Sequence, residues 1–183
     1  TPPPPPPPPP SGKIELKIQS GADDGLEVSS TGLVNLKYPT VRLGGNSLVG
    51  LRFRGINIPK GATITKAILK LHDYAGPNNS VSLEYRADAK INSDAIKEEK
   101  GNLSSRSLAS AKVNDTPGKW TLNQFNVSPD LSNIVQELVN NSSWTSGNTM
   151  TFLIKDSGSS SYRTISAFER GTDKAPTLLV EYK

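Results

Sequence analysis

The sequence has no cysteine, one histidine and one methionine in 183 residues. The first absence excludes disulfides, thiol nucleophiles and thiolate metal sites together. A single imidazole, on His72, leaves no histidine pair for a transition metal. His72 stands next to Asp73, but such a dyad does chemistry only where the fold brings a nucleophile to it. No carboxylate pair sits in a catalytic motif, so the sequence predicts a protein that is not an enzyme. No apolar run reaches the roughly 18 residues of a membrane span. Charge of one sign is also scarce, the formal net charge being only +4. The lysines alternate along Lys13–Lys17 and Lys66–Lys70, as solvated strand faces do, and form no clustered basic patch for nucleic acid. The chain opens on Thr1 without a methionine, the expectation for a chain freed of a leader or lying within a longer protein.

What the sequence does have is proline. Pro2 to Pro10 are nine in succession, which dictates a polyproline II rod rising about 3.1 Å per residue with no backbone N–H to donate. Two readings are open. The rod is a stiff spacer between modules, or it is an assembly arm whose faces, sampled at Pro2, Pro6 and Pro10, dock in apolar or aromatic grooves of neighbouring subunits. Ser11-Gly12 ends it, so residues 1–12 form the arm or linker and residues 13–183 a single domain.

That domain reads as strands. Val49 to Leu71 is strand, turn, strand: Leu51 and Phe53 alternate with Arg52 and Arg54, Pro59-Lys60-Gly61 breaks the run, and Ala67, Leu69 and Leu71 alternate on the return. Lys13 to Gln19 is a further strand with Ile14, Leu16 and Ile18 on one face. It pairs in its own sheet or completes a neighbour's by strand addition. Strands are also predicted over Asn35–Val41, Val81–Ala89, Trp120–Val127, Thr149–Lys155, Arg163–Phe168 and Thr177–Tyr182. Residues 95–110 are polar and irregular, with a helical turn around Ala95–Lys100. One helix is predicted over Pro129–Asn140, with Ser128 as cap, Pro129 at the first position and Asp130 at the positive end of the dipole. Its buried stripe is Leu131, Ile134, Val135 and Leu138. Many short strands between turn signals make the fold class all-β, an antiparallel β-sandwich or jelly roll with one short helix. Leu51, Phe53, Leu69, Leu71, Ile134, Leu138, Phe152, Ile154 and Leu179 are its predicted core.

Val49-Gly-Leu-Arg-Phe, followed by Ile58-Pro-Lys-Gly-Ala-Thr-Ile-Thr-Lys-Ala, resembles the central motif of DNRLRE-type, CBM96-like domains. So does the ending Trp144…Met150-Thr-Phe-Leu-Ile…Arg163-Thr-Ile-Ser-Ala-Phe-Glu…Ala175-Pro-Thr-Leu-Leu-Val-Glu-Tyr182. The resemblance runs from about Gly21 to Tyr182. It implies an extracellular jelly-roll module of the kind attached to secreted bacterial proteins, often polysaccharide-degrading enzymes, some of which bind glycans. No ligand residue carries over with it.

Candidate sites therefore come from residue chemistry. Asp23, Asp24 and Glu27 are carboxylates in and beside a loop and suit Ca²⁺, the one cofactor the sequence offers; ordinary turn acids are the alternative. Sugar binding wants an exposed ring beside polar groups, for which Trp120, Trp144, Tyr74 and Tyr162 are candidates, loop-anchoring being the alternative. Asn-x-Ser/Thr sequons begin at Asn78, Asn102, Asn114, Asn126, Asn140 and Asn141, the Asn126 one weakened by Pro129. Two functions from different classes fit. The first is the repeating subunit of an extracellular filament, its partners copies of itself held through the polyproline arm and the strand after it. The second is a carbohydrate-binding module tethered by a proline linker to a secreted enzyme.

Overall fold

The computed structural model describes residues 11–74 and 79–183. The proline run, with Pro2, Pro6 and Pro10, lies outside the described residues, as does Asn78.

The chain is an antiparallel β-sandwich, as its alternating patterns predict. In order come β1 (Gly12–Lys17), β2 (Asp24–Val28), β3 (Val34–Asn35), β4 (Thr40–Gly44), β5 (Ser47–Ile56), β6 (Ile64–His72), β7 (Leu83–Ala87), β8 (Val113–Asp115), β9 (Phe125–Val127), α1 (Ser132–Val139), β10 (Asn148–Asp156), β11 (Tyr162–Ser166) and β12 (Thr177–Tyr182). One sheet has the order β1-β12-β6-β9 and the other β3-β2-β5-β10-β7-β8, while β11 and β4 form a two-stranded ribbon. The central hairpin thus splits between layers, β5 in the larger sheet and β6 in the smaller. Inward residues alternate along each strand. Leu51 and Phe53 on β5, Phe152 and Ile154 on β10, and Leu69 and Leu71 on β6 all join the main apolar cluster. Phe53 and Phe152 meet edge to face at 6.0 Å. Of the predicted core, Leu179 alone faces away from that cluster: it is buried on the outer face of the smaller sheet, in register with Glu15 and Ile68.

Several predicted strands are shorter in the structure, and each has a local cause. Asn35–Val41 is interrupted because the Asn35 side-chain oxygen accepts the backbone N–H groups of Lys37 and Tyr38, a side-chain turn that competes with the ladder. Trp120–Val127 reduces to β9. Residues 95–100 form no helical turn. The irregular segment around them instead lies flat on the outer face of the larger sheet, pinned by Ile96 and Leu103 against Leu153. Gly50 makes this approach possible: a Cβ there would come within 2.7 Å of the Leu103 side chain.

The helix begins three residues later than its cap chemistry predicts, at Ser132 with Leu131 as the flanking residue. Ser128 is committed to β6, and Asp130 is shared between β6 and the helix start, where it accepts the Ser132 N–H at 3.0 Å. The Ser128 hydroxyl accepts the Leu69 N–H at 2.9 Å, and the Asp130 carboxylate accepts the Ala67 N–H at 3.0 Å. In return the N–H groups of Ser128 and Leu131 reach the carbonyls of Leu69 and Ala67. Gln136, on α1, accepts from Ile64 N–H and donates to the Ala62 carbonyl. Beyond the three-residue β9, these groups stand in for a strand along the edge of β6.

Candidate functional site

The three proposed Ca²⁺ ligands do not converge. Asp24 and Glu27 are an odd number of residues apart on β2, so they face opposite sides of the sheet. Asp23 is fully buried and clamped by two guanidinium groups, Arg52 Nη1 at 2.6 Å and Arg54 Nη2 at 3.0 Å, with the Ser20 hydroxyl at 2.9 Å. Asp24 points into the sandwich and accepts the Phe168 N–H at 2.8 Å. Burial, reinforced by the charges of Glu169 and Asp23, pushes its carboxyl up to about 7 against the pull of that hydrogen bond. Glu27 faces outward and accepts the N–H groups of Leu103 and Ser104. A cation would have to displace arginines and backbone donors already in place, and among the described residues no three His, Cys, Asp or Glu side chains gather.

The tryptophans are packing residues rather than exposed platforms. Trp144 is 1% exposed, and its indole N–H donates to the Ile58 carbonyl at 3.0 Å. Trp120 is buried beneath Arg163, whose guanidinium carbon lies 4.9 Å from the ring centroid. That same guanidinium donates to the carbonyls of Asn79, Pro117 and Gly118, tying two loops to β11. The two tyrosines are partly open but each carries an arginine on its face, Arg170 at 3.6 Å over Tyr74 and Arg42 at 4.6 Å over Tyr162. His72 and Asp73 are both buried. His72 Nδ1 lies 3.2 Å from the hydroxyl of Ser166, itself fully buried, and burial, the largest cause, lowers the imidazole's pKa.

Among the sequons, Asn114 is exposed on β8 and Asn140 and Asn141 are exposed after α1. Asn102 is half-buried and its oxygen accepts the Lys97 N–H. Asn126 turns its amide nitrogen inward, donating to the carbonyls of Thr121 and Gln124.

The assembly strand is not available for donation to a neighbour. β1 pairs antiparallel with β12 of its own chain through six register pairs, from Gly12↔Tyr182 to Lys17↔Thr177. Ile14 and Leu16 pack on the main cluster and Ile18 belongs to it. Apolar burial in its own core decides the pairing. Its other edge is unpaired among the described residues and carries exposed Lys13 and Lys17, the usual protection of an edge strand.

Two of the surface hollows among the described residues bear on the apolar surfaces. The first, about 310 Å³, lies on the outer face of the larger sheet, with a leucine floor including Leu48 and Leu153 and a rim including Glu27, Glu84, Arg86 and Lys155. It holds no aromatic ring. The second, about 370 Å³, lies between β2 and β4 and is lined by Val28, Tyr38, Pro39, Arg42 and Ser47 among others. Tyr38 is 53% exposed there. Sequence reasoning missed it, because it placed Tyr38 inside a strand predicted over Asn35–Val41. The two ends of the sandwich differ accordingly. Gly12 lies against Tyr182, whose hydroxyl reaches the Asn57 carbonyl just past the end of β5. The Tyr38 groove includes Ser47, the first residue of β5. Ten residues of strand, on the order of 33 Å, separate the two.

No family model matches the chain, and no curated protein matches it. Solved structures similar to it include an exo-β-1,3-galactanase from Phanerochaete chrysosporium with galactose, at 12% identity and a TM-score of 0.25. A variant of that enzyme with β-1,3-galactotriose is similar at 13% identity and 0.26. Each alignment covers 92% of this chain and 29% of the galactanase. The chain therefore spans less than a third of the enzyme's length, and likeness at this level carries no functional argument.

Proposed function

We propose that this chain is a non-catalytic extracellular structural module, a repeating subunit joined to copies of itself through Pro2–Pro10. The observation that carries the reading is the anchorage of β1. Its first residue, Gly12, is already in register with Tyr182, so Ser11 alone separates a rigid strand from the proline run. A polyproline II rod is by composition a semi-rigid element. Because it is stiff before binding, docking it costs little conformational entropy. The following strand stays in its own sheet, so the proline run is the part that reaches a neighbour, and a head-to-tail contact that does not close builds a filament.

Deleting Thr1–Pro10 tests the reading. The shortened chain should keep its melting temperature and remain monomeric by light scattering at concentrations where the full chain forms fibres visible by electron microscopy. If the two are both monomeric, or assemble alike, the reading fails. The carbohydrate-binding alternative then gains ground, with the exposed Tyr38 ring as its best stacking surface and a glycan array as its test.

A further inference from the structure

The geometry points to the Tyr38 groove as the surface that receives the proline run of a second copy, an inference that rests on the assembly reading above. The first argument is reach. Nine prolines in polyproline II span about 28 Å. They join the described chain at Ser11-Gly12, beside Tyr182. The groove lies at the opposite end, on the order of 33 Å away along β5. A run of that length starting at Gly12 falls short of its own groove, whereas a neighbour's groove can be brought up to it end to end.

The second argument is chemistry. A polyproline rod offers apolar ring faces and free carbonyl acceptors but no N–H donors, and proteins hold it in aromatic-lined grooves that supply the donors. The groove has both parts. Tyr38 presents an exposed ring with a hydroxyl, Val28 and Pro39 extend the apolar wall, and the exposed guanidinium of Arg42 can donate to carbonyls while stacked on Tyr162. Tyr38 is held in place by Asn35, which accepts its backbone N–H at 3.1 Å, and Pro39 by its carbonyl, which accepts from Ala167. The leucine trough on the larger sheet lacks an aromatic ring. The patch of Leu122, Phe125 and Val127 is exposed on and beside an edge strand and is the competing surface. An arm at one end and its acceptor at the other make the contact heterologous and open-ended, so assembly propagates along the long axis of the sandwich.

The test uses the full chain carrying Tyr38→Ala with Arg42→Ala, against Phe125→Ala as control, each checked for an unchanged melting temperature. The groove variant should raise the concentration needed for fibre formation at least tenfold, and Phe125→Ala should leave it within twofold. Mixing the groove variant, which keeps its arm, with the chain lacking Thr1–Pro10, which keeps its groove, should give one-to-one dimers and no fibres. Loss of fibres with Phe125→Ala but not with the groove variant overturns the groove assignment while leaving the assembly reading intact. Assembly unaffected by deletion of Thr1–Pro10 overturns both.

Discussion

Asp24 is a carboxylate placed where only its neutral form is comfortable, which makes it the sharpest probe of the interior. It sits on β2 opposite Leu51, 1% exposed, with a hydrogen bond from Phe168 N–H. Its pKa is raised from 3.8 to about 7, chiefly by burial. The sign follows from linkage. The unfolded chain releases this proton near pH 4 and the folded chain only near pH 7, so the fold loses stability as pH rises between them. Above about pH 7 the whole cost is present. A shift of about three units at about 1.4 kcal/mol each sets that cost near 4 kcal/mol. Asp24→Asn removes the charge and keeps an oxygen for Phe168. The new amide NH₂ needs an acceptor, a pH-independent cost of about 1–3 kcal/mol if none is found. The stability difference between variant and parent should therefore move in the variant's favour by about 4 kcal/mol from pH 4 to pH 8.5. Urea unfolding at four pH values across that range measures it, and taking the difference cancels the titrating groups that do not interact with Asp24. Stability curves that stay parallel within about 0.5 kcal/mol would refute the reasoning.

Three further outcomes are expected. Arg163→Met should cost roughly 3–5 kcal/mol in chemical denaturation, because three loop carbonyls lose a charged donor, and Arg163→Lys should recover only part, lacking the planar fork; a lysine variant as stable as the parent would contradict this. Calorimetry should detect no Ca²⁺ binding, and a chelator should leave the melting temperature unchanged, since Asp23, Asp24 and Glu27 each serve a different part of the fold. Expressed in a host that glycosylates sequons, the chain should carry sugar at Asn114 before Asn126, whose amide nitrogen already donates to two carbonyls; peptide mapping with Asn126 fully modified would count against it.

Strands with a clean two-residue period were legible from sequence: β5, β6, β10 and β12 lie within a few residues of where alternation puts them. The turn at Pro59-Lys60-Gly61 was legible too, Gly61 adopting φ of +75° as a tight turn requires. The start of α1 was not, because Ser128 and Asp130 are local cap residues by type but bind a strand some 60 positions earlier in the chain. That Asp24 and Glu27 do not converge on one cation follows from a point the sequence already held, their odd spacing in a strand. The tryptophans went the other way from the binding expectation: Trp144 and Trp120 sit next to loops because they anchor those loops. Tyr38 escaped notice because its exposure is created by the Asn35 turn and by β4, and neither alters any periodicity around it.

The edge of β6 has a consequence for the life of the chain outside its native state. Ladder hydrogen bonds use backbone groups that every sequence has, whereas along this edge the N–H groups of Ile64, Ala67 and Leu69 are met by the side chains of Gln136, Asp130 and Ser128. A single substitution at Ser128 or Asp130 would leave one β-strand N–H without its acceptor. Such an edge recruits identical edges, the starting point of amyloid-type stacking.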